Sequence, residues 1–363
     1  MGSILIFGPA YLDVVVEIAR ALVPGYPALT LDQSAPASHM ALHAEDYIQV
    51  CGPTGDDLRF PLLPDAQDTA ATYHLGEPVL ARMLGRDTRR TVVGEYPVTR
   101  LVTQIGGMGA GYALALRGTL RMPVGGSQDE PDAIGQDIIR LLGYHGISTV
   151  PCLLTGRASD TSLVILSTQG DKLAIGVRDT MVHWRVTRED RALVEKADAL
   201  VFCGAPNALM AEVLAWQPSI PVMCAPAMRN VCDATVPLVE LAPHIHYLTL
   251  NALEWAHLEG QDAMLRQVPV ISVTDGAHGS RVLFGDSEVH IPAVPRDRPA
   301  NTNRAGETYG STFFKVLMAE YPNFYRAGYV TAPIVEKAGR IAGLQAARQL
   351  DLRGFAFPED DWM

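Results

Sequence analysis

Three short polar segments carry most of the chemistry this sequence offers. The first is Asn301-Thr302-Asn303-Arg304-Ala305-Gly306-Glu307, a polar turn that runs straight into Thr308-Tyr309-Gly310-Ser311-Thr312-Phe313-Phe314. Such a turn feeding a helix leaves backbone N–H groups facing outward, where the macrodipole also favours negative charge. Arg304, Ala305 and Gly306 then form an anion cradle, and Glu307 suits a general base beside it. The same glutamate has a plainer use as a capping residue in the first turn. The second segment is Asn251-Ala252-Leu253-Glu254, where Asn and Glu at i and i+3 share one helical face. Oxygen donors of this kind suit a hydrated Mg²⁺, which takes one or two carboxylates and keeps several waters. Capping by Asn251 is the competing use. The third is Thr274-Asp275-Gly276-Ala277-His278-Gly279, whose glycines allow a ligand close to the backbone, as they would also allow a tight turn.

A glycine run, Gly106-Gly107-Met108-Gly109-Ala110-Gly111, sits between an apolar stretch and a helical one. It is not a clean dinucleotide fingerprint, because Tyr112 stands where Gly or Ala is needed. A dinucleotide-dependent oxidoreductase is therefore the weakest of the readings. No Gly-Lys dipeptide occurs, so there is no Walker A loop, and no Gly-x-Ser-x-Gly elbow occurs either.

These segments need elements to hold them. Short apolar runs predict strands at Ile4–Phe7, Leu101–Ile105, Thr161–Leu166, Ala199–Cys203, Val222–Cys224, His246–Leu250 and Val270–Thr274. Helical patterns begin at Tyr112 and cover Ile134–Gly143, Leu209–Trp216, Leu253–Leu258 and Tyr309–Met318. Strands alternating with helices imply βαβ units, a mostly parallel sheet and right-handed crossovers. Ligands then bind outside the carboxyl ends of the strands, where the polar segments fall. Residues 24–78 are rich in Pro, Gly, Asp and Ala and lack periodicity, which suggests an insertion, lid or mobile segment. His244 and His246 would share one side of a strand, as solvated or core histidines ahead of a metal pair. Trp184, Trp216, Trp255 and Trp362 are scattered and expected to pack.

Composition sets the limits. The chain has 363 residues, 48% hydrophobic and 19% charged, enough for a substantial core in one large α/β domain or two smaller ones. The net charge of −11 argues against a uniformly basic nucleic-acid surface. The cysteines (Cys51, Cys152, Cys203, Cys224 and Cys232) are odd in number and form no C-x-x-C pair, which fits reduced thiols in the cytoplasm. No apolar run is long enough to span a bilayer, and Met1-Gly2-Ser3-Ile4 lacks the basic start of a signal peptide.

Taken in order, these segments resemble the ribokinase-like (PfkB) carbohydrate kinases, from residue 1 to about 350 apart from about 20–98. Each motif is weak alone, and the specificity lies in their shared order. The resemblance implies an α/β, three-layer fold: a mostly parallel sheet flanked by helices, plus a small β lid. It implies one domain over 1–363, with 20–98 an inserted or enlarged lid segment. It implies transfer of the γ-phosphoryl of ATP, with Mg²⁺, to a hydroxyl of a sugar or nucleoside. Asp13 resembles the early Asp that contacts substrate hydroxyls, and Gly106-Gly107 the substrate-side signature. Asp132-Ala133-Ile134-Gly135, preceded by Val124-Gly125, resembles the Asp-x-x-Gly turn. Asn251 and Glu254 resemble the element that organises Mg²⁺ through water. Thr274, Gly276 and Gly279 resemble the nucleotide loop. Arg304-Ala305-Gly306-Glu307 stands where the family carries Gly-Ala-Gly-Asp. A homodimer through the lid is implied, with no nucleic-acid or membrane partner.

The departures are specific. Glu307 replaces the basic Asp, Arg304 the first glycine, Asn301 the opening Asp, and Gly111 the Asn that follows the Gly-Gly pair. The Asp-Pro-Asn-x-Arg stretch reads Ala225-Pro226-Ala227-Met228-Arg229. Arg304 either blocks the anion hole or adds a bidentate phosphate contact. Without the Asp at 301, an activating monovalent cation is not expected. These changes motivate the alternative, a catalytically degenerate member that binds a sugar or nucleotide.

Overall fold

The computed structural model describes residues 2–18, 47–51, 57–61, 98–167, 172–296, 304–327, 330–352 and 356–359. In chain order the strands are β1 (Ile4–Phe7), β2 (Tyr11–Ile18), β3 (Tyr47–Cys51), β4 (Asp57–Pro61), β5 (Val98–Gly106), β6 (Thr119–Gly126), β7 (Ser148–Thr155), β8 (Thr161–Ser167) and β9 (Lys172–Val177). They continue as β10 (Ala199–Cys203), β11 (Val222–Ala225), β12 (Tyr247–Asn251), β13 (Val270–Thr274), β14 (Ser280–Phe284) and β15 (Ser287–Ile291).

A nine-stranded sheet runs in the order β15-β14-β13-β12-β11-β10-β1-β6-β7. It is parallel from β13 through to β7, with β14 and β15 antiparallel at one edge. The central strands are continuous apolar runs because both faces are covered. Along β1, Ile4 and Ile6 enter one core while Leu5 and Phe7 enter the other. Along β10, Val201 and Cys203 join the first, and Leu200 and Phe202 the second. Helices Met108–Leu116, Ala305–Glu320 and Ala332–Gln349 supply the first core, and helices Asn207–Leu214 and Gln261–Gln267 the second. The result is the expected three-layer α/β arrangement. Trp184 and Trp255 are buried and Trp216 packs against the core, while Trp362 lies outside the described residues.

A smaller four-stranded sheet, β5-β2-β8-β9, springs from the large one. Gly8-Pro9-Ala10 is the whole connection from β1 to β2. Arg178 stands over the Tyr11 ring at 3.5 Å and donates to the Thr161 carbonyl at 2.6 Å, at the root of this sheet. The segment 20–98 falls between β2 and β5, which pair antiparallel. Most of it lies outside the described residues; within it β3 and β4 pair with each other.

Two expectations change. The first helix starts at Met108, inside the glycine run, rather than at Tyr112. His244 ends a 3₁₀ turn, Ala242–His244, and β12 begins only at Tyr247, so the histidines share no strand. Nδ1 of His246 accepts the Val222 N–H at 3.0 Å, and burial lowers its pKa to about 4, which keeps it neutral. Among the described residues no helix is long and apolar enough to cross a membrane. Cys152, Cys203, Cys224 and Cys232 are free thiols.

Candidate active site

The chain leaves β1 for β6 and β7 on one side and returns to β10 on the other. That reversal opens a crevice at the carboxyl end of β1, the usual ligand position in such sheets. The glycine run fits there for steric reasons. A Cβ at Gly109 would lie 2.5 Å from the Gly8 carbonyl carbon, and one at Gly107 2.5 Å from the Pro9 oxygen. Gly107 also has φ +91°, a left-handed value that favours glycine. The run lets helix Met108–Leu116 start directly against the turn after β1.

Asp13 and Gly106 meet here. The Asp13 carboxylate covers the Gly106 backbone so closely that a Cβ at 106 would fall 2.0 Å from Oδ2. Arg304 reaches the same place from the start of helix Ala305–Glu320. It precedes helix Ala305–Glu320 with φ 66°, so a non-glycine residue holds a left-handed conformation that costs about 1 kcal/mol. Its guanidinium donates to the Ile105 carbonyl at 2.9 Å. Burial lowers the Arg304 pKa, and the charges of Glu307 and Asp13 oppose that shift. The side chain thus reaches back to β5 and lies within electrostatic range of both carboxylates.

Glu307 sits in the first turn of this helix, whose N-terminus no described side chain caps. A Cβ built at Gly111 would stand 3.4 Å from Cγ of Glu307, so the bare backbone at 111 leaves space for the longer acid. The helix behind Glu307 is fixed firmly. Tyr309 bonds Ser280 at 2.7 Å, Thr308 donates to Gln349 at 3.3 Å, and Gly310 lies under the Tyr112 hydroxyl. Burial and then the Glu307 charge raise the Tyr112 pKa well above its usual value.

Asn251 and Glu254 form a reciprocal cap on helix Ala252–His257. Oδ1 of Asn251 accepts the Glu254 N–H at 2.8 Å, and Oε2 of Glu254 accepts the Asn251 N–H at 2.9 Å. The capping use is therefore realised, and it aims the Glu254 carboxylate back at the end of β12. Burial raises the Glu254 pKa to about 7, the Glu307 charge adds to the rise, and the Asn251 bonds oppose it. Asn251 and Thr274 are register partners on adjacent parallel strands, so the third segment begins beside the second. It folds as a 3₁₀ turn, Gly276–His278, closed by the Asp275 N–H to the Gly279 carbonyl at 2.7 Å. Gly279 has φ +91°, and a Cβ there would strike the Ile291 carbonyl at 2.1 Å; the space around Gly276 is open.

Asp132 has a different setting. It caps helix Ala133–Tyr144 through the Gly135 N–H at 2.7 Å, and its other oxygen accepts the Ser159 N–H at 2.7 Å. The structure thus gives it a capping role. Asn301 lies outside the described residues. Phe357 escaped the sequence reading altogether. Its ring lies 3.6 Å from the position a Cβ at Gly111 would take, on the same ground as Glu307. Aromatics in a short proline-containing tail give no periodic signal.

The sequence profile of the pfkB family of carbohydrate kinases matches residues 99–339, which include Gly106, Asn251, Thr274 and Glu307 and leave out Asp13 and Phe357. No curated protein matches the chain by sequence. Ribokinase from Giardia lamblia superposes with a TM-score of 0.64 over 98% of this chain and 94% of that one, at 13% identity. A Burkholderia thailandensis nucleoside kinase in complex with inosine gives 0.62 over 97% and 93%, at 14% identity. Arabidopsis thaliana ribokinase complexed with ribose and ATP gives 0.58 over 97% and 94%, at 16% identity. At these identities the structural likeness is one of fold.

Proposed function

The chain belongs to the pfkB family of carbohydrate kinases, and from that premise we propose that it transfers the γ-phosphoryl group of ATP to a hydroxyl of a sugar or nucleoside. One observation carries the proposal. Glu307, in the first turn of helix Ala305–Glu320, is within electrostatic reach of Glu254 and of Arg304, Arg304 bonds the Ile105 carbonyl, and Asp13 covers the adjoining Gly106. A base, an anion cradle and an acceptor-side carboxylate therefore share one crevice.

In this reading Asp13 orients the acceptor over Gly106 and Gly107. Glu307 takes the proton of the attacking hydroxyl. The backbone N–H groups of Ala305 and Gly306 receive the charge that spreads over the phosphoryl oxygens. Arg304 holds the helix N-terminus against β5 through Ile105. Thr274, Gly276 and Gly279 hold the nucleotide beside Asn251.

The residues also suit Mg²⁺. The Glu307 charge raises the proton affinity of Glu254, a repulsion that a divalent cation would relieve. Among the described residues no three His, Cys, Asp or Glu side chains form a cage. Asn251 and Glu254 would hold the ion through water, and it would supply positive charge to offset that of the phosphates. A pH dependence follows. Near pH 7 about half of Glu254 carries a proton, and Mg-ATP favours the ionised form. Binding is expected to release protons near pH 7 and to tighten as pH rises from about 6 to about 8. Calorimetry in buffers of different ionisation heat measures the release. A Glu254→Gln variant should lose it, and wild-type binding without proton release contradicts the assignment.

The segment 20–98, joining β2 to β5, is proposed as an enlarged lid that excludes water over the acceptor, with the small sheet as a homodimer face. The direct test of function is ADP release with Mg-ATP across sugars, sugar acids and nucleosides. Acceptor-dependent ADP is the expected result. Saturable ligand binding without ADP under any acceptor favours the binding-protein alternative that Arg304 motivates.

A further inference from the structure

The chain beyond helix Ala332–Gln349 lies outside the family-matched residues 99–339, yet it returns to the site. Gln345, buried in that helix, donates from Nε2 to the Glu359 carbonyl at 3.3 Å and anchors the tail. Gln349, at the end of the same helix, accepts the Thr308 hydroxyl one residue after Glu307. Between these ties Phe357 faces Gly111. A Cβ there would touch the Phe357 ring at 3.6 Å and the Glu307 stem at 3.4 Å and 3.7 Å. Ring and glutamate thus border one small space, which stays open because residue 111 has no side chain.

We infer that Phe357 is a positioning residue for phosphoryl transfer, walling one side of Glu307 and keeping water from taking the acceptor's place. The inference rests on the kinase reading. A carboxylate able to deprotonate a sugar hydroxyl can deprotonate water as well. The water oxygen then bonds to the γ-phosphorus, the bond from that phosphorus to the bridging oxygen breaks, ADP departs and Glu307 holds the proton. ATP is spent as ADP and inorganic phosphate, and no acceptor is phosphorylated. A ring offers no hydrogen bond to hold such a water, and it limits the approaches open to Glu307.

The test reads two quantities with Mg-ATP: ADP released without acceptor, and acceptor phosphorylated in a panel including ribose and inosine. Phe357→Ala is expected to raise the ratio of the first to the second about tenfold or more. Phe357→Gln, of similar bulk but able to bond water, should raise it too, and Phe357→Leu should stay near wild type. A residue that only supports the fold would lower both rates together and leave the ratio alone. If the wild type phosphorylates an acceptor and both Phe357→Ala and Phe357→Gln couple as tightly, the inference fails alone. If the wild type consumes no ATP with any acceptor or without one, the kinase reading fails and takes the inference with it.

Discussion

Replacing Glu307 by glutamine is expected to lower turnover by about a hundredfold or more, with the fold and nucleotide binding kept. Glutamine matches the shape of the acid and cannot accept the proton. Helix Ala305–Glu320 tolerates the exchange because Thr308, Tyr309 and Gly310 fix it from behind the site. Two side effects follow from the charges. Glu254 loses a neighbour that raises its pKa, so the proton release on Mg-ATP binding should shrink. Arg304 loses one of the two carboxylates that oppose its burial and keeps Asp13. Glu307→Asp, the family's own residue type, is the sharper control. It retains the chemistry but shortens the side chain by one methylene over Gly111, and a displacement of ~1 Å can cost about a hundredfold. Turnover of Glu307→Gln equal to wild type, at matched ADP release, would falsify the base assignment.

The parts of this molecule that show in the sequence are those where one local rule decides the outcome. Ala199–Cys203 and Val270–Thr274 are strands at the expected residues, because burial on both faces demands continuous apolar runs. β6 is harder to see, since Arg121 and Pro123 interrupt it, and β15 is mostly exposed at the sheet edge. In the small sheet β5 and β8 fall on the expected runs Leu101–Ile105 and Thr161–Leu166, but their pairing with β2 has no local signature, because the three come from distant stretches. The site divides in the same way. Glu307, Asn251 and Gly107 are readable as a first-turn acid, a helix cap and a turn glycine. What Arg304 reaches and what Phe357 covers depend on chain crossings. His246 shows the cost of assuming a period, since its role follows from one bond to Val222 at the start of β11.

Arg121 is the stability counterpart of Glu307. It is 1% exposed on β6, where its backbone pairs with β1 and its carbonyl accepts the Gly8 N–H at 3.2 Å. Its guanidinium meets Asp190 at 2.6 Å, Glu189 at 3.0 Å, the Thr187 hydroxyl at 3.0 Å and the Pro151 carbonyl at 2.9 Å. Asp190, itself fully buried, also accepts the Thr187 N–H at 2.6 Å and so caps helix Arg188–Val194. Arg121→Met leaves that carboxylate buried without its counter-charge and is expected to cost about 3–5 kcal/mol. Asp190→Leu leaves the guanidinium only the exposed Glu189 as counter-charge and also removes the cap, worth about 1 kcal/mol. The double variant Arg121→Met, Asp190→Leu buries no charge, so its loss should be well below the sum of the two single losses. Urea midpoints for the four proteins close the cycle. Additive losses, or a single-variant loss under about 1 kcal/mol, would mean that Glu189, Thr187 and the β7 carbonyls hold Arg121 without Asp190. The strong coupling expected here would place the pair's stabilising role one strand away from the crevice, at the residue whose carbonyl steadies the turn after β1.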